Sequence, residues 1–193
     1  MKETGLMFKA PLVRSILDGS KTQTRRIAKD VKHPDLGNVY TPGALVLERE
    51  PQHVIDRACP YGGPGDRIYV RETFAHFERN ENFKPGCTPY FRADGECVDL
   101  QPWRPAIHMP KHAARIWLDI TGVRLERLQD ISEADCRAEG AHGGHGSIPG
   151  YTYSATPLEH FQHIWTSTGG DWAANPWVWV IDFKRDLAQK EQP

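Results

Sequence analysis

The sequence predicts an α+β domain with a mostly antiparallel, barrel-like sheet and a few short helices. Three strand patterns support this fold class. Apolar and polar residues alternate over residues 115–125 and again over residues 67–74, and residues 177–183 are apolar on both faces, which is typical of a central strand. Helical patterns are few and do not alternate regularly with the strands, so a doubly wound fold is not expected.

The first predicted element is a helix at residues 11–18. Pro11 suits the first helical position, where its missing N–H costs nothing. Gly19 follows as a residue that can take a positive φ and end the helix. A strand is then expected to begin at Thr24, and alternation places Thr24 and Arg26 on one of its faces.

The middle of the chain is rich in turn residues. Residues 29–43 contain His-Pro, Gly-Asn and Pro-Gly pairs and are predicted as loop, whereas residues 44–50 are predicted as strand. Residues 76–113 are irregular and are interpreted as an inserted arm, because plain loops of that length are rare in compact domains. We therefore expect one domain over residues 1–193 with long inserted loops near 29–62, 76–113 and 141–156.

Two helices are predicted after the clearest strand. Ser132 is a candidate N-cap with Asp135 three residues later, and Gly140 follows the helix end. Residues 156–159, Thr-Pro-Leu-Glu, form a capping box with proline at the first helical position. Within the strand before these helices, Gly122 predicts a bulge.

Composition limits the classes of function. With 24 basic and 25 acidic residues, a broad surface that coats nucleic acid is not expected, although a local basic cluster remains open. The sequence has no membrane-length apolar run and no leader-like start, so a cytoplasmic location is expected. Neither a cofactor nor a metal is predicted, because the histidine pairs lack cysteine or acidic partners. The cysteines form no C-x-x-C pair and are interpreted as free thiols: Cys59, Cys87, Cys97 and Cys136.

The segment over residues 19–26, Gly-Ser-Lys-Thr-Gln-Thr-Arg-Arg, is polar and lies between the first helix and the first strand pattern. A solvated basic loop is the simple interpretation, because charge runs usually have that role. The flanking helix and strand favour fixed side chains instead. Here the chain resembles the ASCH family, through the motif G-x-K-T-x-T-x-R. Three further segments resemble that family in the same order, at residues 65–70, 131–140 and 179–183.

The resemblance implies a PUA-like β-barrel fold, and the insertions make the chain similar to the larger ASCH proteins of phages and prophages. Compact bacterial members include N4-acetylcytidine amidohydrolases, so the resemblance implies hydrolysis of an acylated cytosine. By motif position, the catalytic set becomes Lys21, Thr24 and Glu139. The inward-facing Glu72 is the competing carboxylate, with a structural ion pair as its alternative role.

The chemistry of this set is plausible if Lys21 can lose its proton. A threonine hydroxyl becomes a nucleophile only when a base accepts its proton, and nearby positive charge lowers the pKa of a lysine. Direct attack by water, with Thr24 only positioning it, is the alternative mechanism. We expect Arg26 or a backbone N–H to bind the oxyanion. The remaining candidate substrate-binding residues are Arg25, Arg71, Glu72 and Trp177.

Two other functions remain open at this stage. One is a non-catalytic module that binds RNA or a modified nucleobase, and the other is a ribonuclease of the ASCH type. The expected partner is a small modified nucleoside or a modified base in RNA, with no membrane partner. The sequence leaves the oligomeric state and the acyl group open.

Overall fold

The structure is a computed structural model, and it describes residues 1–75, 89–95 and 102–187. Much of the proposed inserted arm, together with Cys87 and Cys97, lies outside the described residues. The helices are α1 (Ala10–Leu17), α2 (Pro42–Leu47), α3 (Gln52–Ala58), α4 (Glu133–Ala138) and α5 (Pro157–Ser167). The strands are β1 (Glu3–Met7), β2 (Gln23–Ile27), β3 (Val31–Lys32), β4 (Val39–Tyr40), β5 (Arg67–Arg71), β6 (Phe74–Ala75), β7 (Tyr90–Phe91), β8 (Trp117–Arg127), β9 (Gly144–His145), β10 (Ser154–Ala155) and β11 (Trp177–Arg185).

The main sheet has five strands in the order β1-β5-β8-β11-β2. Strand β1 pairs with β5 in parallel, and the other three pairings are antiparallel, so the predicted α+β class with a mostly antiparallel sheet is confirmed. A closed barrel is not seen in the backbone pairing of the described strands, because β1 and β2 lie at opposite ends of the ladder. The side chain of Arg26 nevertheless connects these two strands, since its Nη2 donates to the carbonyl of Met7 at 3.0 Å.

Strands β8 and β11 form the centre of the sheet, as their apolar patterns predicted. The bulge predicted at Gly122 is also present: Asp182 lies opposite Gly122, but the next residue, Phe183, lies opposite Ile120. The extra residue, Thr121, restores the alternation, so that residues before and after the bulge contribute to the same core.

The sheet separates two apolar layers, and β2 has one face towards each. One layer lies between the sheet and helices α1, α2 and α3 and includes Trp179 and Ile181, and the other lies under α4 and α5 and includes Val180. Arg26 is the register partner of Trp179, and Arg25 is the partner of Val180. Because adjacent strand residues face opposite sides, the two arginines lie in different layers.

The helix signals after β8 are confirmed. Ser132 caps α4 by accepting a hydrogen bond from the N–H of Asp135 at 3.1 Å, and Gly140 ends this helix with a φ of 87°. Helix α5 begins with the predicted capping box at Thr156 and Glu159. These local contacts satisfy N–H groups at the helix ends, each worth about 1 kcal/mol, and they fix where α4 ends beside β2.

The strand predicted at residues 44–50 is wrong. Residues Pro42–Leu47 form helix α2, with Pro42 in the first turn and Thr41 as the extended N-cap. Leu45 is fully buried and Leu47 is 79% exposed, which fits a helix that covers the core with one face. The insertion near 29–62 is therefore more ordered than a loop, because it also holds the β3–β4 pair and α3.

The other insertions also contain small ordered units. Strands β9 and β10 pair within the 141–156 segment, and β6, directly before the proposed arm, pairs with β7 inside it. Over the part of the chain that the structure covers, no helix combines the length and apolar character needed to cross a membrane.

Candidate functional site

The polar segment before β2 meets the end of α4. Lys21 and Glu139 form an isolated β-bridge, and the N–H of Thr22 donates to the carbonyl of Ala138 at 2.8 Å. Gly19 makes this approach possible, because its φ of 83° turns the chain at the end of α1. Backbone contacts thus place the side chains of Lys21 and Glu139 together.

The ammonium group of Lys21 is buried and fully hydrogen-bonded. Its Nζ lies 2.5 Å from Oε2 of Glu139, 2.9 Å from the Glu139 carbonyl and 2.7 Å from the Gln23 carbonyl. Lys21 is 2% exposed and Glu139 is 5% exposed. Burial lowers the pKa of Lys21, the negative charge of Glu139 opposes this change, and Arg26 and Arg25 lower that pKa further.

Arg25 holds the second oxygen of Glu139. Its Nη1 lies 3.3 Å from Oε1 of Glu139, and its Nε and Nη2 contact Oε1 of Glu126 at 3.1 and 2.5 Å. The side-chain oxygen of Gln23 accepts another hydrogen bond from Arg25 at 2.5 Å. The network continues through three further charged residues towards the surface: Arg124, Asp135 and Asp182.

Thr24 and Arg26 lie on the opposite face of β2. Nη1 of Arg26 donates to Oγ1 of Thr24 at 3.0 Å and to the carbonyl of Arg25 at the same distance. The guanidinium also lies 4.9 Å from the ring centre of Phe8. Burial lowers the pKa of Arg26, and Glu139 opposes this effect. Thr24 is only 1% exposed, so the hydroxyl is covered and is held by Arg26 rather than by Lys21.

A cleft of about 600 Å³ adjoins this cluster, a volume within the range of small-molecule sites. Arg25 and Arg26 line it, whereas Lys21, Thr24 and Glu139 are not among its lining residues. Other lining residues include three aromatic and two basic side chains: Phe8, Tyr61, Trp165, Lys9 and Lys29.

The structure separates Glu72 and Arg71 from this cluster. Glu72 is 1% exposed and forms a two-point ion pair with Arg115, with both N–O distances at 2.9 Å. Burial raises the pKa of Glu72, and Arg115 opposes that rise. Arg71 donates to the carbonyls of Met109 and Ile107. Neither residue lines the cleft.

Trp177 also lies apart from the predicted catalytic residues. Ile181 is the residue of β11 that lies opposite Thr24, and Trp177 lies four positions before it. Four strand residues span roughly 13 Å, so Trp177 is far from Thr24 along the sheet. Its ring packs against Gly43, and the guanidinium of Arg127 lies 4.7 Å from the ring centre. These contacts make Trp177 an anchor for the α2 insertion rather than a residue of the cleft.

Several polar residues of this region were not predicted from the sequence. Gln23 and Glu126 connect Arg25 to the rest of the network, and Lys9 and Lys29 line the cleft. Strand alternation from Arg25 back to Gln23 could have indicated the first of these. No local signal connects Glu126 with a residue about one hundred positions earlier in the chain.

Comparison with known proteins adds one weak likeness. No protein-family model matches the chain, and no curated protein matches it. Among solved structures, the chain is similar to a crystal structure of an ASCH domain from Lactobacillus crispatus JV V101. The identity is 12%, the alignment covers 95% of this chain and 79% of that chain, and the TM-score is 0.39. A superposition of this quality carries no argument about activity.

Proposed function

We propose that this protein is an amidohydrolase that removes an acyl group from the exocyclic amine of an N4-acylated cytosine, with N4-acetylcytidine as the representative substrate. The observation that best supports it is the buried Lys21–Glu139 pair beside the strand that carries Thr24. These are the three residues that the ASCH resemblance implies are catalytic. The proposal includes the PUA-like fold, which is consistent with a sheet whose edge strands are joined through Arg26.

Lys21 is the proposed base. A solvated lysine stays protonated near neutral pH, but burial and two neighbouring guanidinium groups lower the pKa of this amine. Glu139 fixes the position of the amine through its side chain and its backbone carbonyl. A lysine in this environment can exchange a proton during the reaction more readily than one in water.

Thr24 is the proposed nucleophile, and Arg26 controls access to it. Because Arg26 both covers the Thr24 hydroxyl and lines the cleft, the substrate must displace this guanidinium to reach the hydroxyl. After displacement, the same guanidinium is available to bind the oxyanion that forms on the acyl carbonyl. A donor in that position is worth about 3–4 kcal/mol of transition-state stabilisation.

The proposed reaction has two stages. Lys21 first passes a proton to Glu139, whose Oε2 lies 2.5 Å from the lysine Nζ. Thr24 Oγ then attacks the acyl carbon while its proton passes to the neutral Lys21 amine, and the bond from the acyl carbon to the exocyclic nitrogen breaks. The leaving amine takes the proton back from Lys21, assisted by Glu139, and an ester remains on Thr24. Water then hydrolyses that ester to release the carboxylic acid and the free threonine. If water attacks directly, no ester forms.

The test is release of cytidine and acetate from N4-acetylcytidine. We expect Lys21→Met, Thr24→Val and Glu139→Gln each to lower kcat/KM by about 100-fold or more, the range for loss of a general base or a nucleophile. Thr22→Val is the matched control, because Thr22 is exposed and lies in the same segment. Turnover that survives in both Lys21→Met and Thr24→Val would contradict the assignment of this site.

A binding module for RNA or a modified base is the second candidate, and the covered position of Thr24 favours it. This candidate predicts saturable binding of the nucleoside or of RNA without any release of acetate. Cleavage of RNA that is lost in the same variants would instead support a ribonuclease. A transient ester on Thr24, detected by mass spectrometry after acid quenching, separates the covalent mechanism from direct attack by water.

A further inference from the structure

The cleft beside Arg26 has an unusual charge composition. Four basic residues line it, namely Lys9, Arg25, Arg26 and Lys29, and among the described residues its lining includes no aspartate or glutamate. The chain as a whole has 25 acidic and 24 basic residues. In a chain with a net charge of −1, a cleft lined by four basic residues and no acidic ones has a local positive potential.

The positive charge in the outer part of the cleft is not compensated by carboxylates. Arg25 pairs with Glu126 and Glu139, so its charge is neutralised internally. Lys9 donates instead to the neutral carbonyl of Ser167 at 2.6 Å. Lys29 is exposed and forms no ion pair with any residue in the described ranges. Two ammonium groups at the same cavity thus remain available to a bound anion.

A second cavity, of about 300 Å³, continues the first. The two share Lys9, Leu12 and Thr168, so they form one groove along the start of α1 and the end of α5. His160 and His163 line the second cavity, and in the described part of the chain its lining is also free of acidic residues. Lys9 is the N-cap of α1, so the positive end of that helix lies at the junction of the two cavities.

We propose that Lys9 and Lys29 bind phosphate, so that the protein takes its acylated cytosine as a nucleotide rather than as a free nucleoside. The base would occupy the cleft near Arg26, where Phe8 and Tyr61 provide aromatic surface. The phosphate group would lie at the two lysines. The identity of the base rests on the proposed function, whereas the binding of phosphate does not.

Phosphate with this chemistry has two sources, a free 5′-mononucleotide and a nucleic-acid strand. The groove extends beyond the first cavity, past Lys9 towards the two histidines, which gives room for a neighbouring nucleotide. A strand would contact both lysines and the second cavity, whereas a mononucleotide would need the first cavity only. The two sources therefore differ in which phosphorylated substrate gains from the site.

The test compares three substrates and three variants. The substrates are N4-acetylcytidine, its 5′-monophosphate and a short single-stranded oligoribonucleotide with one central N4-acetylcytidine. The variants are Lys9→Gln, Lys29→Gln and the control Lys184→Gln, which removes an exposed lysine that lines neither cavity. Binding of an unmodified oligoribonucleotide is measured in parallel as a function of salt concentration.

We expect kcat/KM to be at least tenfold higher for a phosphate-containing substrate than for the nucleoside. Lys9→Gln and Lys29→Gln should each lower kcat/KM for that substrate by about tenfold, the value of one charge-assisted contact. The plot of log K against log salt has a negative slope, and its magnitude should fall by about 0.7 for each lysine removed. Lys184→Gln should change neither quantity. A gain for the mononucleotide alone identifies a free nucleotide, and a gain for the oligoribonucleotide alone identifies a strand.

Two results would overturn the inference. One is equal turnover of all three substrates, and the other is an equal loss for all three in the Lys29→Gln variant, because a residue that binds phosphate cannot affect the nucleoside as strongly. If no substrate is hydrolysed, the proposed function fails on its own. Salt-dependent oligoribonucleotide binding that weakens in Lys29→Gln would then still support the phosphate site.

Discussion

Substitution of Glu139 by glutamine tests the central electrostatic contact of the site. The carboxylate lies 2.5 Å from the Lys21 ammonium and 3.3 Å from Arg25, and all three residues are at most 5% exposed. Arg25 keeps Glu126 as a partner, so Lys21 alone loses its counter-charge. Removing one partner of a buried ion pair costs about 3–5 kcal/mol. Because glutamine keeps a polar atom in place, we expect the lower end of this range. The free energy of unfolding should fall by about 3 kcal/mol, which corresponds to a melting temperature lower by about 6–12 °C.

The assay is urea unfolding of Glu139→Gln beside Glu133→Gln. Glu133 begins the helix that Glu139 ends, but its side chain is 61% exposed and its ion pair among the described residues is with the exposed Arg137, so its loss should cost less than about 1 kcal/mol. Adding Lys21→Met to Glu139→Gln should restore part of the lost stability, because the unpaired charge is removed. A cost below about 1 kcal/mol for Glu139→Gln, or a double variant less stable than the single one, would refute this reasoning.

The same pair gives a pH dependence with a definite sign. Burial lowers the folded-state pKa of Lys21 below its ordinary value of 10.5, and loss of Glu139 lowers it further. Between the folded-state pKa and 10.5 the unfolded chain binds more protons than the folded chain, so stability rises with pH across that window. The penalty in Glu139→Gln should therefore shrink as pH rises from the folded-state pKa of Lys21 in the variant to that in the wild-type protein, and the double variant with Lys21→Met should lack this trend.

Three further outcomes follow from contacts outside the cluster. Glu72→Gln should lower the free energy of unfolding by about 2 kcal/mol in urea titrations, because Arg115 loses a buried partner but keeps a second carboxylate. Gly143→Ala should lower the melting temperature, because a Cβ there would lie 2.5 Å from the Ala155 carbonyl in a backbone with a φ of 71°. Cys59 is 3% exposed and burial raises its thiol pKa to about 11, so iodoacetamide at pH 8 should modify it only after unfolding, as mass spectrometry can show.

Elements with chemical signals at their ends were predictable from the sequence. Helices α1, α4 and α5 were predicted because each has an end signal that involves only neighbouring residues. These signals are Gly19, the Ser132 cap and the capping box at Thr156. The same kind of signal was present at Pro42 for α2. It was outweighed there by the Leu-Val-Leu run, whose side chains favour strand and buried helix alike.

The candidate site was predictable only where it is local. The segment that carries Lys21 and Thr24 was found because its polar residues adjoin one another in the chain. Strand alternation predicted that Glu72 points inward. Alternation shows which face of the sheet a side chain lies on, but not which residues lie near it on that face, so it could not show that Arg115 is the partner. The cleft lysines, Lys9 and Lys29, flank elements that converge only through tertiary packing.

Strand β11 has a consequence for how this chain folds during synthesis. It lies between β8 and β2, yet it is the last strand of the sheet to be made. Until residue 177 has left the ribosome, β2 has no neighbour in the ladder, and Thr24, Arg25 and Arg26 have no fixed positions. Pairing across more than 150 residues is slow to form. Nascent chains that stall before β11 would thus present unpaired apolar strands, and chaperone capture should concentrate on this interval of translation.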